Sequence, residues 1–292
     1  MNSLIKNSLF LAFLSTALGG INSIVFKQLM EITSFQKIAL YEAFFLICFF
    51  GVLKGWSIKS LTKNTLIYLH LGSFLQALGF LFFFLSLLYL SPLEFSFLSR
   101  NQATVSIFLG FYFLNEKHDL KNWIAMVLLL IGALTFTFSP NSVNNNIGII
   151  FSLLFCISLS FRGLIIKKSG PIPLNVLMFW GAVFSFIVIL LTSLGSLSQL
   201  NVFDLDLFLA VALSSLFSNA IGIMLYFKAL EGGNLSSVTT IRAISPLFIA
   251  FYSSLFFEYS WTTLKVIGLI ICLVSLSLFL IPDKWTSKQY VQ

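Results

Sequence analysis

Three arginines and one glutamate lie deep inside otherwise apolar stretches: Arg100, Arg162, Arg242 and Glu42. On insertion scales an Arg near the centre of a bilayer costs about 2.5 kcal/mol or more. Such a residue therefore lines a wet cavity, pairs with a carboxylate, or reaches the headgroups. Glu42 shares the expected depth of Arg100, so three roles are open to it: an ion pair with Arg100, a proton-binding carboxylate, or a contact to a substrate amine. The interior charges sum to +2, three Arg minus one Glu. An unpaired cation in low-dielectric surroundings is expensive, and binding an anion offsets that cost. Arg242, Arg162 and the nearby Lys228 are placed to form a cytoplasm-facing funnel for a carboxylate or phosphate. Arg162, near the end of its apolar stretch, could instead extend to the headgroups. Polar residues of less decisive type are Asn101 and Gln102 beside Arg100, and Gln76, Asn219 and Tyr226 in other apolar stretches. Trp180 could stack on a planar solute or simply pack in a core. The candidate binding set is Arg100, Arg242, Glu42, Arg162, Asn101, Trp180 and Tyr226.

The elements that hold these residues follow from composition. Of 292 residues, 58% are hydrophobic and only 9% are charged, too few to cover a water-facing surface. A soluble enzyme, a nucleic-acid module and a disordered chain are excluded. Apolar runs recur at about 8–28, 36–53, 65–90, 93–114, 122–139, 147–166, 174–195, 207–230, 235–257 and 262–281. Each should be an α-helix, because a backbone in hydrocarbon must satisfy its own hydrogen bonds. The expected fold is an all-α integral membrane protein of ten transmembrane helices. With the N-terminus inside, eleven lysines fall on the cytoplasmic side; only Lys27, Lys37 and Lys265 fall outside. That bias sets both termini in the cytoplasm. It also accounts for most of the basic charge without a nucleic-acid partner. The expected location is the plasma (inner) membrane. Cys48, Cys156 and Cys272 lack the spacing of a metal site or disulfide scaffold and are expected as small core or lipid-facing residues.

A shift of 142 residues sets Arg100 on Arg242 and Glu116 on Glu258, and both Arg-to-Glu intervals are sixteen residues. Only three arginines occur in the chain, which gives the match weight. It divides the chain into five-helix halves, 1–140 and 141–292. Five is odd, so the halves enter the membrane from opposite sides, the layout of carriers with a site near the midplane. Small-residue pairs four apart, Ser15 and Gly19, Ser73 and Ala77, Ser218 and Gly222, should let helices approach closely. No phosphate-binding G-x-x-x-x-G-K loop and no H-E-x-x-H motif occurs, and His70 and His118 stand apart from any ligand cluster. No cofactor is expected.

The stretch Leu88-Tyr89-Leu90-Ser91-Pro92-Leu93-Glu94, then Leu114-Asn115-Glu116-Lys117, Trp123 and Gly132, resembles the end of an EamA-type repeat of the drug/metabolite transporter superfamily. The second half echoes it in Ala229-Leu230-Glu231-Gly232-Gly233-Asn234, Ser245-Pro246, Phe257-Glu258 and Gly268. The resemblance implies a ten-helix carrier with both termini cytoplasmic, moving small metabolites through a central cavity. Family members often carry an Arg in the second span; here Tyr41-Glu42 stands there, so a role tied to that Arg does not transfer. The expected function is a secondary transporter working by alternating access on a solute with an anionic group, driven by a proton gradient or by exchange. A membrane enzyme or lipid-handling protein acting on a phosphate-bearing headgroup is the alternative, and a non-transporting scaffold the third. The expected partners are a small-molecule solute and the lipid bilayer, with monomer and homodimer both open.

Overall fold

A computed structural model of the chain describes residues 2–59, 61–115, 119–138, 143–169, 172–195, 203–232, 245–257 and 261–280. These residues are helical apart from short connections. In chain order the helices are α1 (Asn2–Gly19), α2 (Ile21–Leu29), α3 (Phe35–Val52), α4 (Lys63–Tyr89), α5 (Pro92–Ser99) and α6 (Asn101–Leu114). There follow α7 (Leu120–Thr137), α8 (Val143–Ser169), α9 (Leu174–Thr192), α10 (Leu205–Ser215), a π turn (Leu216–Ile221), α11 (Gly222–Gly232), α12 (Ser245–Phe256) and α13 (Thr263–Leu280). Polar residues at the breaks start the helices. Thr62 caps α4 by accepting from the Thr65 N–H at 3.3 Å, and Asp204 caps α10 by accepting from Leu207 N–H at 3.0 Å. At α5, Ser91 and Glu94 form a reciprocal capping box behind Pro92 at the first helical position. At the far end of α4, Lys27 Nζ donates to the terminal carbonyl of Leu87 at 2.6 Å, which satisfies an orphan acceptor and sets a cation at the negative helix end.

Seven segments among the described residues are long and apolar enough to cross a bilayer: Phe10–Leu29, Phe35–Val52, Lys63–Tyr89, Leu120–Thr137, Asn145–Ser169, Leu174–Thr192 and Leu205–Tyr226. Ten spans were expected. The run 93–114 is not one helix but two, α5 and α6, parted at Arg100. Of the run 235–257, the part from Ser245 is described, and the last run contributes the shorter apolar stretch Thr263–Ser275. The runs 8–28 and 207–230 are also interrupted, by a turn at Gly20 and by the π turn.

Helix α4 packs on α8 and α9, while α10 and α11 with the π turn pack on α1, α2 and α3. Under the 142-residue shift these are equivalent sets. Helices α7 and α13, equivalent to each other, form a tight pair: a Cβ at Gly132 would stand 2.8 Å from the backbone nitrogen of Cys272. Ser275 Oγ donates across the pair to Ala125 O at 2.6 Å. Two of the small residues expected to allow close approach, Ser15 and Gly222 from different pairs, meet: Ser15 Oγ donates to Gly222 O at 2.6 Å, whereas Gly19 faces open space. The phenylalanines divide between two surroundings. Phe10, Phe74, Phe111 and Phe251 are exposed, as residues facing acyl chains would be, but Phe26, Phe50, Phe84, Phe97 and Phe136 are fully buried. Phe26 stacks on Phe84 with centroids 5.4 Å apart, joining α2 to α4.

Candidate functional site

Two polar centres and one repaired helix break lie in the apolar interior. The first centre is built around Glu42, near the middle of α3 and completely buried. Its Oε1 accepts from Asn22 Nδ2 on α2 at 3.1 Å and from Asn219 Nδ2 in the π turn. Asn22 Oδ1 in turn accepts from the Ser214 hydroxyl on α10. The Oε2 of Glu42 has no hydrogen-bond partner. Ser215 Oγ, also fully buried, stands next to the carboxylate without the geometry of a hydrogen bond. A helix hydrogen-bonded five residues back offsets its following residues relative to an α-helix. That offset carries Asn219 to the carboxylate. The expected pair between Glu42 and Arg100 is not formed: the partners of Glu42 are neutral amides.

The second centre lies where α4, α8 and α9 meet. Gly72 lies against Ile166 and Gly79 against Leu159, so α4 and α8 run antiparallel with Gln76 level with Arg162. Leu159, Arg162 and Ile166 are three and four residues apart, so the arginine shares the face that α8 turns to α4. Gln76 is the middle residue of α4. Arg162 therefore stands level with the middle of α4, six residues past the middle of its own helix. Helix α8 continues beyond the apolar run, through Lys167 and Lys168 to Ser169. Gly181 on α9 admits the Gln76 amide so closely that a Cβ there would collide with it. Trp180 beside it meets His70 edge-on with centroids 5.3 Å apart. Four buried polar atoms of this centre have no hydrogen-bond partner among the described residues: Arg162 Nε, Gln76 Oε1, His70 Nδ1 and Trp180 Nε1. No carboxylate pairs with Arg162 among the described residues.

The break at Arg100 exposes carbonyls that α8 satisfies. Leu98 O accepts from Asn101 Nδ2 at 3.1 Å and from Cys156 Sγ at 3.5 Å, and Ser99 O accepts from Cys156 at 3.6 Å. Ser160 Oγ donates to Gln102 O at 3.0 Å and meets Ser106 Oγ at 3.1 Å. Irregular backbone at this depth needs such substitute donors. Arg100 caps the C-terminus of α5, where the helix dipole favours a cation, and its guanidinium lies near Cys156. Asn101 is almost fully buried and faces this break. Tyr226 on α11 packs beside Ala12 and Ala229, at the contact with α1. Arg242 lies outside the described residues.

Of the expected site residues, the structure joins Glu42 with Asn219 and sets Arg162 level with Gln76, while Trp180 packs on His70; Arg100 and Asn101 form a separate group with Cys156. Asn22, Ser214 and Ser215 were missed. A mid-span amide such as Asn22 was the available signal. Nothing in the sequence, however, marks the π turn that brings Asn219 to Glu42.

The fold and its buried polar centres are those of a multi-pass helical membrane protein. The chain matches the EamA-like transporter family twice, over residues 6–138 and 146–281. It belongs to that family, whose members are membrane transporters. No curated protein sequence matches the chain. Among solved structures, one titled "Crystal structure of protein" superposes with a TM-score of 0.64 at 12% identity, covering 93% of this chain and 94% of that one. That likeness concerns the fold alone.

Proposed function

We propose that the protein is a secondary transporter that carries a small metabolite with an anionic group across the plasma membrane. It works by alternating access of two inverted five-helix halves, 1–140 and 141–292, with ten spans and both termini in the cytoplasm. The observation that carries this reading is Arg162: a guanidinium level with the middle of α4, with no carboxylate paired to it among the described residues and the unpartnered Gln76 Oε1 at its level. A cation so placed is costly until an anion reaches it, and a bidentate guanidinium suits a carboxylate or phosphate. Trp180 adjoins Gly181, which admits the Gln76 amide. Arg100, Asn101, Tyr226 and Arg242 are the further solute contacts of this reading. The equivalent packing of α4 on α8 and α9, and of α10–α11 on α1–α3, supports a two-fold relation of the halves. The helices interrupted at Gly20, Arg100 and the π turn suit a carrier whose halves rock about a central site.

The test is thermal stabilisation of the purified protein by organic acids, sugar phosphates, neutral sugars and amines. A ligand at a hundred times its Kd adds about 2.7 kcal/mol to the folded state. At least one anion should stabilise the wild type, and Arg162→Gln should abolish that gain. Stabilisation only by neutral or cationic solutes, unchanged in Arg162→Gln, would overturn the reading.

A further inference from the structure

The proposed function leaves Glu42 without a task, yet this residue has the most elaborate setting in the interior. Within the candidate spans it is the one carboxylate among the described residues that lies away from a helix end, since Asp206 sits in the first turn of α10. Its two oxygens are treated differently. Oε1 is held by two amide donors from two other helices, while Oε2 is buried and unpartnered among the described residues; the equally unpartnered Ser215 hydroxyl stands beside the carboxylate. Amide N–H groups turned toward a carboxylate do not make an oxygen cage for a metal cation, and Asn22 Oδ1 is already occupied by Ser214. The unpartnered Oε2 is the atom left to take a hydrogen.

We propose that Glu42 is the proton-carrying group of this transporter, with Oε2 as the atom that is protonated. This rests on the transporter reading above and deepens it by naming the coupled ion. Water on one side delivers a proton to Oε2, an O–H bond forms, and the bond breaks again when the site opens to water on the other side. Among the described residues no charged group competes for the carboxylate. On α3 itself, Lys37 lies over the Tyr41 ring, and the Tyr41 hydroxyl accepts from Asp204 N–H. On α2, Lys27 is turned to the Leu87 carbonyl. On α4, His70 faces Trp180 and Phe184, and α9 carries no ionisable side chain. On α10, Asp206 stands in the first turn.

The proton site reports to a moving part. Asn219 belongs to the π turn that joins α10 to α11, so loss or gain of charge on Glu42 changes the hold on that turn. A π turn inside an α-helix is a common place for such adjustment. Proton and anion also complement each other electrostatically. An anion at Arg162 alone, or a proton at Glu42 alone, changes the interior charge by one unit. Taken together they leave it as in the empty carrier, so in low dielectric the doubly loaded state is favoured over either singly loaded one.

The test is infrared difference spectroscopy of the purified full-length protein, reading the C=O stretch of a protonated carboxyl group. The wild type should show this band at neutral pH, shift it in heavy water because the proton exchanges with solvent, and lose it at alkaline pH. Glu42→Gln should abolish the band. Should Glu42→Gln fold poorly, Asn219→Ala removes a donor from Oε1 and should move the same band in frequency without removing it. A band that survives Glu42→Gln, is absent from the wild type, or appears only when sodium is withdrawn overturns the assignment. The band belongs to the resting protein. If it is present while no anion stabilises the protein, the anion reading falls alone; if anions stabilise it and the band is missing, the proton assignment falls alone.

Discussion

Substituting Gly268 with alanine tests the close contact between α7 and α13. A Cβ at this position on α13 would meet Phe136 Cα at 2.7 Å and Gly132 O at 2.8 Å. Both obstacles are backbone, so no rotamer change relieves them. The Phe136 backbone nitrogen is nearer still; ordinary contact for a Cβ begins at 3.4 Å, and reaching it requires α7 and α13 to part by roughly 1 Å, a gap that forfeits up to about half of the dispersion energy of each facing pair. Overpacking of this kind costs about 1–3 kcal/mol, and an unyielding backbone places it in the upper half of that range. The 2.6 Å hydrogen bond from Ser275 to Ala125 O spans the same seam and would be stretched as well. Gly268→Ala should therefore lower stability by about 2–3 kcal/mol, roughly a 30- to 150-fold change in the unfolding equilibrium. Reversible unfolding in mixed micelles by titrated sodium dodecyl sulfate measures it. Gly163→Ala on α8 is the control, because a Cβ there meets nothing within 4 Å. It should gain up to about 0.8 kcal/mol from helix propensity. Equal stability of the two variants would refute the close approach of α7 and α13.

Ser15→Ala removes the hydroxyl bond to Gly222 O, and should cost about 0.6–1 kcal/mol in the same unfolding assay. Ser160→Ala leaves Gln102 O without its donor at the break beside Arg100, so it should cost about 1 kcal/mol and speed amide exchange in α6 relative to α7. Gly181→Ala drives the Gln76 amide out of its place; since the far end of a flexible side chain can move, stability should fall by less than about 1.5 kcal/mol while anion-induced stabilisation is lost. Lys265 pairs with Glu94 at 3.2 Å on a partly exposed rim, and Lys265→Met should change stability by less than about 1 kcal/mol.

Much of the frame was legible because hydrocarbon leaves a backbone few options. The apolar runs, the breaks at Ser91-Pro92 and around residue 172, and the small size of Ser15 and Gly222 all followed from length, turn residues and side-chain size. The end of α8 did not, because two lysines, Lys167 and Lys168, close the apolar run before the helix ends at Ser169. Charge at a span's edge does not stop a helix. The break at Arg100 was illegible for a different reason. Its repair comes from Cys156 and Ser160, residues of another helix whose register no local pattern reveals. The Glu42 centre was half visible: a lone carboxylate in an apolar run announces itself, but its partners are distant in sequence. Like charges and unlike charges attract attention in a sequence; neutral amides such as Asn22 and Asn219 do not, although they hold the carboxylate here.

The central claim is that Arg162 receives the anionic group of a transported solute. Exchange of radiolabelled organic acids and sugar phosphates into sealed proteoliposomes, with wild type and Arg162→Gln reconstituted side by side, tests it most directly. The account predicts that the wild type exchanges at least one of these anions, that Arg162→Gln exchanges none, and that neutral sugars and amines do not enter with either. Flux of that same anion through Arg162→Gln at the wild-type rate would contradict it.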